Sequence, residues 1–441
     1  MNHLLASNAE LLYLIPITLL VGGYYFWQRR TQRRTLLKQQ AAKATGLTQP
    51  ASLHPVIDPN KCLGCGACVK ACPEGEILGL VQGKALLVEP ANCIGHGACQ
   101  QACPFDAISL VFGTAERGID IPNVSERFET SRDGVYIAGE LGGMGLIRNA
   151  VTQGVQAVEG IAKTLKSARS SGGSNDYDLV IVGAGPAGIA AALTAMHHKL
   201  RAVVIEQDTL GGTVAHFPRN KIVMTSPVTI PLVGEVKFRE TSKEALLEFW
   251  RDIIDTHQPD IRYSQQMTGL EGDAGAFTVT TTTDTYKCNA LLLCLGRRGT
   301  PRTLDVPGDE QNKVIYRLDD PAQHSGQHVL VVGGGDSALE AACALAEADC
   351  ASVTLSYRSS SFSRAKPKNR DRASKLAEHG TLTLELESTV ESIGLDDVTL
   401  NLKTGQTTLP NDAIIVCAGG ILPTGFLKSI GITVDTKYGS V

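Results

Sequence analysis

The sequence predicts an α/β chain made of two doubly wound parallel-sheet domains, a small α+β unit and an N-terminal transmembrane helix. Three observations carry that expectation. From residue 176 almost to the end, strand-like apolar runs alternate with Ala-rich helical ones, the pattern that builds parallel sheets covered on both faces. A compact cysteine-rich repeat precedes them, and an uncharged apolar run opens the chain.

The 441 residues suffice for several domains, and a composition 43% hydrophobic and 20% charged is ordinary for globular α/β material. A formal net charge of -4 gives no general attraction to polyanions, so nucleic acid is not an expected partner. Of the 12 cysteines, most sit in the repeat with metal-cluster spacing. The others are scattered in apolar surroundings and read as buried, reduced thiols, not as a disulfide framework.

Leu11 to Trp27 is free of charge, with Glu10 before it and Arg29, Arg30, Arg33 and Arg34 after it. At about 1.5 Å per residue it reaches about 26 Å, close to the hydrocarbon thickness of about 30 Å. A cleaved signal peptide is the rival reading, but its positive charge should precede the apolar run, and here the charge follows. Residues 1–30 are therefore expected to anchor the chain in membrane lipid. Arginines stay inside, which makes the protein single-pass in the cell membrane with its catalytic domains in the cytoplasm. Residues 31–56, basic and then Ala/Gln-rich with Pro50 and Pro55, should be a short helix running into a juxtamembrane tether.

Within residues 57–112, Cys62, Cys65, Cys68 and Cys72 are followed by Pro73 in the C-x2-C-x2-C-x3-C-P spacing of a bacterial iron-sulfur site. In such a run the first three thiolates hold one cluster and the fourth reaches to the other. Zinc is the competing ligand, yet it usually takes separated C-x2-C pairs. The run recurs as Cys93, His96, Cys99 and Cys103, with histidine in place of the second cysteine. By the cross-over rule one cluster takes Cys62, Cys65, Cys68 and Cys103. The other is left with Cys72, Cys93, Cys99 and either a ligating His96, a three-iron cluster, or nothing.

Asp178 to Val182 reads as a buried strand leading to Gly183-x-Gly185-x-x-Gly188 and an Ala-rich helix, with Glu206 ending the next strand. This is the full Rossmann-like dinucleotide fingerprint: glycines for the turn and the pyrophosphate, an acid for the ribose. Val329 to Val332 leads to a second fingerprint, Gly333-x-Gly335-x-x-Ala338. Its second strand ends without a carboxylate, and Arg358 with Arg364 could receive a 2'-phosphate, which favours NADP over NAD. The basic stretch from Arg364 to Lys375 is either a solvated face or a docking patch.

Gly333-Gly334-Gly335-Asp336-Ser337-Ala338, Cys294-Leu295-Gly296 and Gly134-Val135-Tyr136-Ile137-Ala138-Gly139-Glu140 together resemble the thioredoxin reductase-like pyridine-nucleotide flavoproteins. Residues 57–110 resemble dicluster ferredoxins. The resemblance implies FAD at Gly183, Gly185, Gly188 and Glu206, the nicotinamide nucleotide at Gly333, Gly335 and Ser337, and a closing element over the flavin that includes Gly139 and Glu140. It divides the chain into a dicluster ferredoxin domain (57–112), a closing segment (117–165), an FAD-binding domain (176–304), an NAD(P)-binding domain (305–415) and a return to the FAD domain (416–441).

Two departures matter. The closing element precedes the FAD fingerprint, so the motif order is circularly permuted; the segment completes the flavin site either in its own chain or across a homodimer. The C-x-x-C dithiol of thioredoxin reductases is missing, which removes the thiols for direct exchange. The expected function is electron transfer between NADP(H), FAD and two iron-sulfur clusters to an electron-carrier protein of ferredoxin type or a quinone, with no acid-base catalytic residue. The alternatives are a disulfide reductase of a small thiol compound and a non-catalytic electron-transfer or redox-sensing subunit of a membrane complex.

Overall fold

The computed structural model describes residues 2–44, 47–50, 53–93, 95–116, 118–142, 145–168, 175–217, 219, 221–224, 227–238, 240–297, 299–363 and 365–439, with no side-chain detail for 2–15, 167–168, 224 and 300. The chain divides into two compact units: residues 1–117 with 363–367 and 438–441, and residues 118–362 with 368–437.

In the first unit one helix, Asn2–Ala44, runs unbroken through Pro16 and past the arginines. The short helix expected after the arginines is present, because residues 31–44 continue this helix. No proline or glycine interrupts their Leu, Gln, Lys and Ala, which are good helix formers. This half of the helix is also packed. Thr35 is 8% exposed, and its methyl lies 2.4 Å from where a Cβ on Gly79 would stand, so only glycine in the strand Leu78–Val81 admits the helix. Lys38 and Arg34 on the same face pair with Glu76, and the Lys38 ammonium holds that carboxyl below its usual range.

The expected span thus lies inside a helix. Among the described residues no helix is long and apolar enough to cross a membrane. Leu19, Leu20, Val21, Phe26 and Trp27 are nevertheless 71%, 74%, 63%, 68% and 63% exposed, an apolar band left uncovered among the described residues.

The cysteine-rich part of this unit is built from two antiparallel pairs, His54–Ile57 with Ile108–Val111 and Leu78–Val81 with Lys84–Leu87. Short helices Ala67–Ala71 and Ala98–Gln101 stand between them. Each helix follows a glycine, Gly66 or Gly97, at positive φ (77° and 75°), a turn that a side chain would strain.

The second unit holds two sheets of like design. Five parallel strands lie in the order Ile261–Arg262, Ala202–Ile205, Tyr177–Val182, Thr285–Leu293 and Val135–Ile137, and the antiparallel Phe277–Thr281 and Met267–Glu271 extend this sheet. The other sheet is wholly parallel: Thr383–Leu386, Ser352–Tyr357, His328–Val332, Ala413–Val416 and Val314–Ile315. In each, the fifth parallel position is filled by a strand drawn from upstream of the glycine fingerprint.

Burial on both faces explains the unbroken apolar runs. Leu179 and Ile181 face the helices Ile147–Ala168 and Pro186–His197, whereas Val180 and Val182 pack with Phe277, Val279 and Ile432 on the other side. Val135 and Ile137, from the permuted segment, are 0% and 1% exposed, and burying such a side chain stabilises by about 1.5–3 kcal/mol. The chain's two strands flanking the permutation point, Ile119–Pro122 and Val434–Lys437, pair antiparallel with each other.

Candidate functional site

The candidate cluster ligands come together in two groups. Cys62, Cys65, Cys68 and Cys103 ring one cavity, closed by Ile57, Ala85, Ala107 and Ile108. Cys72, Cys93, His96 and Cys99 ring a second, with Glu74, Ile77 and Leu78. Each cavity therefore draws one residue from the opposite run. The repeat folds as two interlocked halves, each run giving its fourth cysteine to the other's cavity. Backbone N–H groups of Ala85 and Ala107 donate to Cys62 Sγ and Cys103 Sγ, both at 3.4 Å, an arrangement that stabilises negative charge on sulfur.

Among the described residues no three His, Cys, Asp or Glu side chains converge tightly enough for a single metal ion. The thiols instead surround apolar-walled cavities, which suits a polynuclear cluster better than zinc. Burial pushes the Cys68 thiol up to about 11 and also raises Cys93 and Cys99. Iron would supply the positive charge that makes thiolate the stable form there.

The two dinucleotide cradles share one frame. Gly183 N–H donates to Ile205 O at 2.7 Å and Gly333 N–H to Ser356 O at 3.0 Å, tying each glycine turn to the neighbouring strand. Cys294 and Cys417, just past their strands, donate N–H to Val182 O and Val332 O, both at 2.7 Å. A Cβ on Gly183 (φ 110°) would stand 2.5 Å from Cys294 O, and one on Gly333 (φ 146°) 2.4 Å from Cys417 O. Gly185 has its nearest neighbour, Gly212, at 3.8 Å, and Gly335 has none within 4 Å. Backbone is thus left open at the N-termini of helices Pro186–His197 and Asp336–Ala346, where a pyrophosphate is best received.

Glu206 is buried, and its two oxygens accept N–H from Ala184 (2.6 Å) and Asp208 (2.8 Å). Burial pushes its carboxyl up, against those backbone donors. In the other cradle Ser337 is exposed on the first helical turn and Arg358 is exposed just past Ser352–Tyr357, while Arg364 lies outside the described residues.

The closing element joins the first cradle. Gly139 N–H donates to Gln153 Oε1 at 2.8 Å, and a Cβ on it would meet that of Ala187, in the fingerprint helix, at 3.1 Å. Glu140 begins the turn Glu140–Gly142. Its carboxyl is raised by burial and opposed by the guanidinium of Arg297, which in turn donates to Asp120 O at 3.3 Å. Arg297 and Gln153 carried no motif signal. Gly211-Gly212-Thr213, beside Gly185, did carry one: a double glycine in the loop after the fingerprint's second strand.

Among the described residues no disulfide joins any cysteine. Outside the cluster unit, burial pushes Cys288 and Cys294 up to about 12 and Cys343 up to about 11, so none of these is poised as an exchanging thiolate.

Comparison with known proteins agrees with this geometry. Residues 54–104 match the 4Fe-4S dicluster domain, and residues 180–440 match the pyridine nucleotide-disulphide oxidoreductase family. The chain is 24% identical to bacilliredoxin reductase Bdr of Bacillus subtilis over 59% of its length and 82% of the relative's. It is 28% identical to a ferredoxin--NADP reductase of Ignicoccus hospitalis over 59% of its length and 83% of the relative's. Among solved structures it is similar to the bacillithiol disulfide reductase Bdr (YpdA) from Staphylococcus aureus, with a TM-score of 0.52 and 27% identity, covering 58% of this chain and 81% of that one. Two built nucleotide cradles and a family match across most of the second unit lead to one statement: the chain belongs to the pyridine nucleotide-disulphide oxidoreductases, a flavin-dependent enzyme carrying a 4Fe-4S dicluster domain at its N-terminal end.

Proposed function

We propose that the protein passes electrons between NADP(H) and an electron-carrier protein of ferredoxin type or a quinone, through flavin and its own clusters. The observation that carries this reading is the presence, in one polypeptide, of two matched dinucleotide cradles and two cysteine-ringed cavities. A bound flavin accepts a hydride's electron pair and gives electrons up singly, the conversion that separates a nicotinamide from a cluster.

The protein's part is positioning. Gly183 and Gly185 would hold the FAD pyrophosphate against a helix N-terminus, with Gly188 keeping helix and turn in close contact; Glu206 would receive the ribose, and Gly139 with Glu140 would close the flavin end. Gly333, Gly335 and Ser337 do the same for the nicotinamide nucleotide. Arg358 is the group that prefers a 2'-phosphate: replacing it with alanine should raise KM for NADPH about tenfold to a hundredfold, the loss of a charged hydrogen bond worth about 1.5–3 kcal/mol, and leave KM for NADH unchanged. Steady-state kinetics with both nucleotides measures this; equal changes for both would assign the 2'-phosphate elsewhere.

The exposed apolar band ending at Trp27, followed by Arg29, Arg30, Arg33 and Arg34, supports a membrane anchor with the cofactor domains on the cytoplasmic side. A second reading, reduction of a low-molecular-weight disulfide, is favoured by the likeness to the bacilliredoxin and bacillithiol disulfide reductases.

Anaerobic titration of the reconstituted protein with NADPH tests the choice. The relay expects flavin bleaching followed by the paramagnetic signals of reduced clusters. Bleaching with clusters that stay oxidised, and turnover that resumes only on adding a small disulfide, would replace it with the second reading.

A further inference from the structure

The two cavities of the dicluster unit are related by the internal repeat, and comparing them position by position isolates what differs. Cys62 corresponds to Cys93, Cys68 to Cys99 and Cys103 to Cys72. The glycines on either side of the second position also correspond, Gly64 and Gly66 to Gly95 and Gly97, all at positive φ. Among the differences in the walls, two place a different chemistry at corresponding positions. Where the first cavity has Cys65, the second has His96; where the first has Phe105, two residues past its fourth cysteine, the second has Glu74, two residues past Cys72.

These two differences are neighbours in space. His96 Nε2 lies 3.9 Å from Glu74 Oε1, and both side chains are mostly covered, at 26% and 35% exposure. The backbone that presents Cys65 is kept around His96, so the imidazole is delivered to the place a thiolate occupies in the sister cavity. An imidazole that binds a metal through one nitrogen usually donates its other N–H to a carboxylate, which fixes the ring. A phenyl ring meets no such need, and the all-thiolate cavity has one.

We propose that His96 is the fourth ligand of the second cluster and that Glu74 is the positioning residue that holds its ring. This deepens the relay reading and rests on it to the extent that clusters are present. Exchanging a thiolate for a neutral imidazole removes one negative charge, so the second cluster takes an electron more readily than the first, as histidine ligation does in Rieske centres.

Protein labelled with 15N-histidine and reduced anaerobically with dithionite, which bypasses nucleotide and flavin, provides the test by pulsed paramagnetic resonance. One of the two reduced clusters should show the strong coupling of a bonded nitrogen. His96→Cys should abolish that coupling and lower that cluster's potential while iron content is kept. Glu74→Gln should keep the iron but alter the coupling and the potential, and Glu74→Asp should restore both. A reduced four-iron cluster pair without nitrogen coupling, or a three-iron signal in fresh protein indifferent to His96→Ala, overturns the assignment while leaving the relay standing. Coupling and potential untouched by Glu74→Gln would remove Glu74 from it. Protein that never takes up iron would sink both the assignment and the relay.

Discussion

Cys103→Ala should abolish the cluster bound by Cys62, Cys65 and Cys68 and spare the one beside Cys93 and Cys99, although Cys103 belongs to the second run in sequence. Cys103 lines the first cavity and not the second, and its Sγ receives the Ala107 N–H there. A three-thiolate remnant with no substitute at the fourth corner loses its cluster or degrades it, so iron should fall by up to about four atoms from about eight. Cys72→Ala should do the reverse. Iron analysis with paramagnetic resonance of the surviving cluster measures both, and loss of the Cys93 site on altering Cys103 would mean that each run closes on itself.

The second large effect concerns two glycines three residues apart. A Cβ on Gly188 would stand 1.8 Å from Gly183 O, a backbone atom of a turn that is itself pinned, so nothing cheap can yield. Gly188→Ala should cost about 3 kcal/mol, the upper end of overpacking losses, and lower Tm with or without flavin. A Cβ on Gly185 finds 3.8 Å to its nearest neighbour and clashes with nothing among the described residues. Gly185→Ala should therefore fold with an unchanged apoprotein melt yet lose flavin, because the methyl occupies the pyrophosphate's approach. Thermal melts with flavin counted by absorbance distinguish the two; equal destabilisation of both apoproteins would contradict the assigned roles.

Much of this arrangement was legible in the residues alone. Fingerprints announce themselves because a strand, a glycine turn and a helix must adjoin, and Gly183, Glu206 and Gly333 occupy those places in the fold. The cysteine spacing signalled which thiols share a cavity, because in such runs the fourth thiolate crosses to the other cluster. What the sequence hid depends on distant partners. Arg297 has no motif, and its place beside Glu140 exists only once residues 118–142 enter the sheet. Residues 31–44 were legible as a helix but not as a packed one, because their polar composition gives no sign of the recess that Gly79 leaves for Thr35.

That recess makes the N-terminal helix a mast instead of a leash. Trp27, the last residue of the apolar band, and Thr35, seated against Gly79, stand about 12 Å apart along the helix at about 1.5 Å per residue. Were the band set in a bilayer, the iron-bearing unit would ride at a fixed altitude above the headgroups, unable to swing outward after a soluble carrier. Electron exchange would then favour whatever arrives at that height, and inserting a few residues between Trp27 and Thr35 would raise the station and retune which carrier can call there.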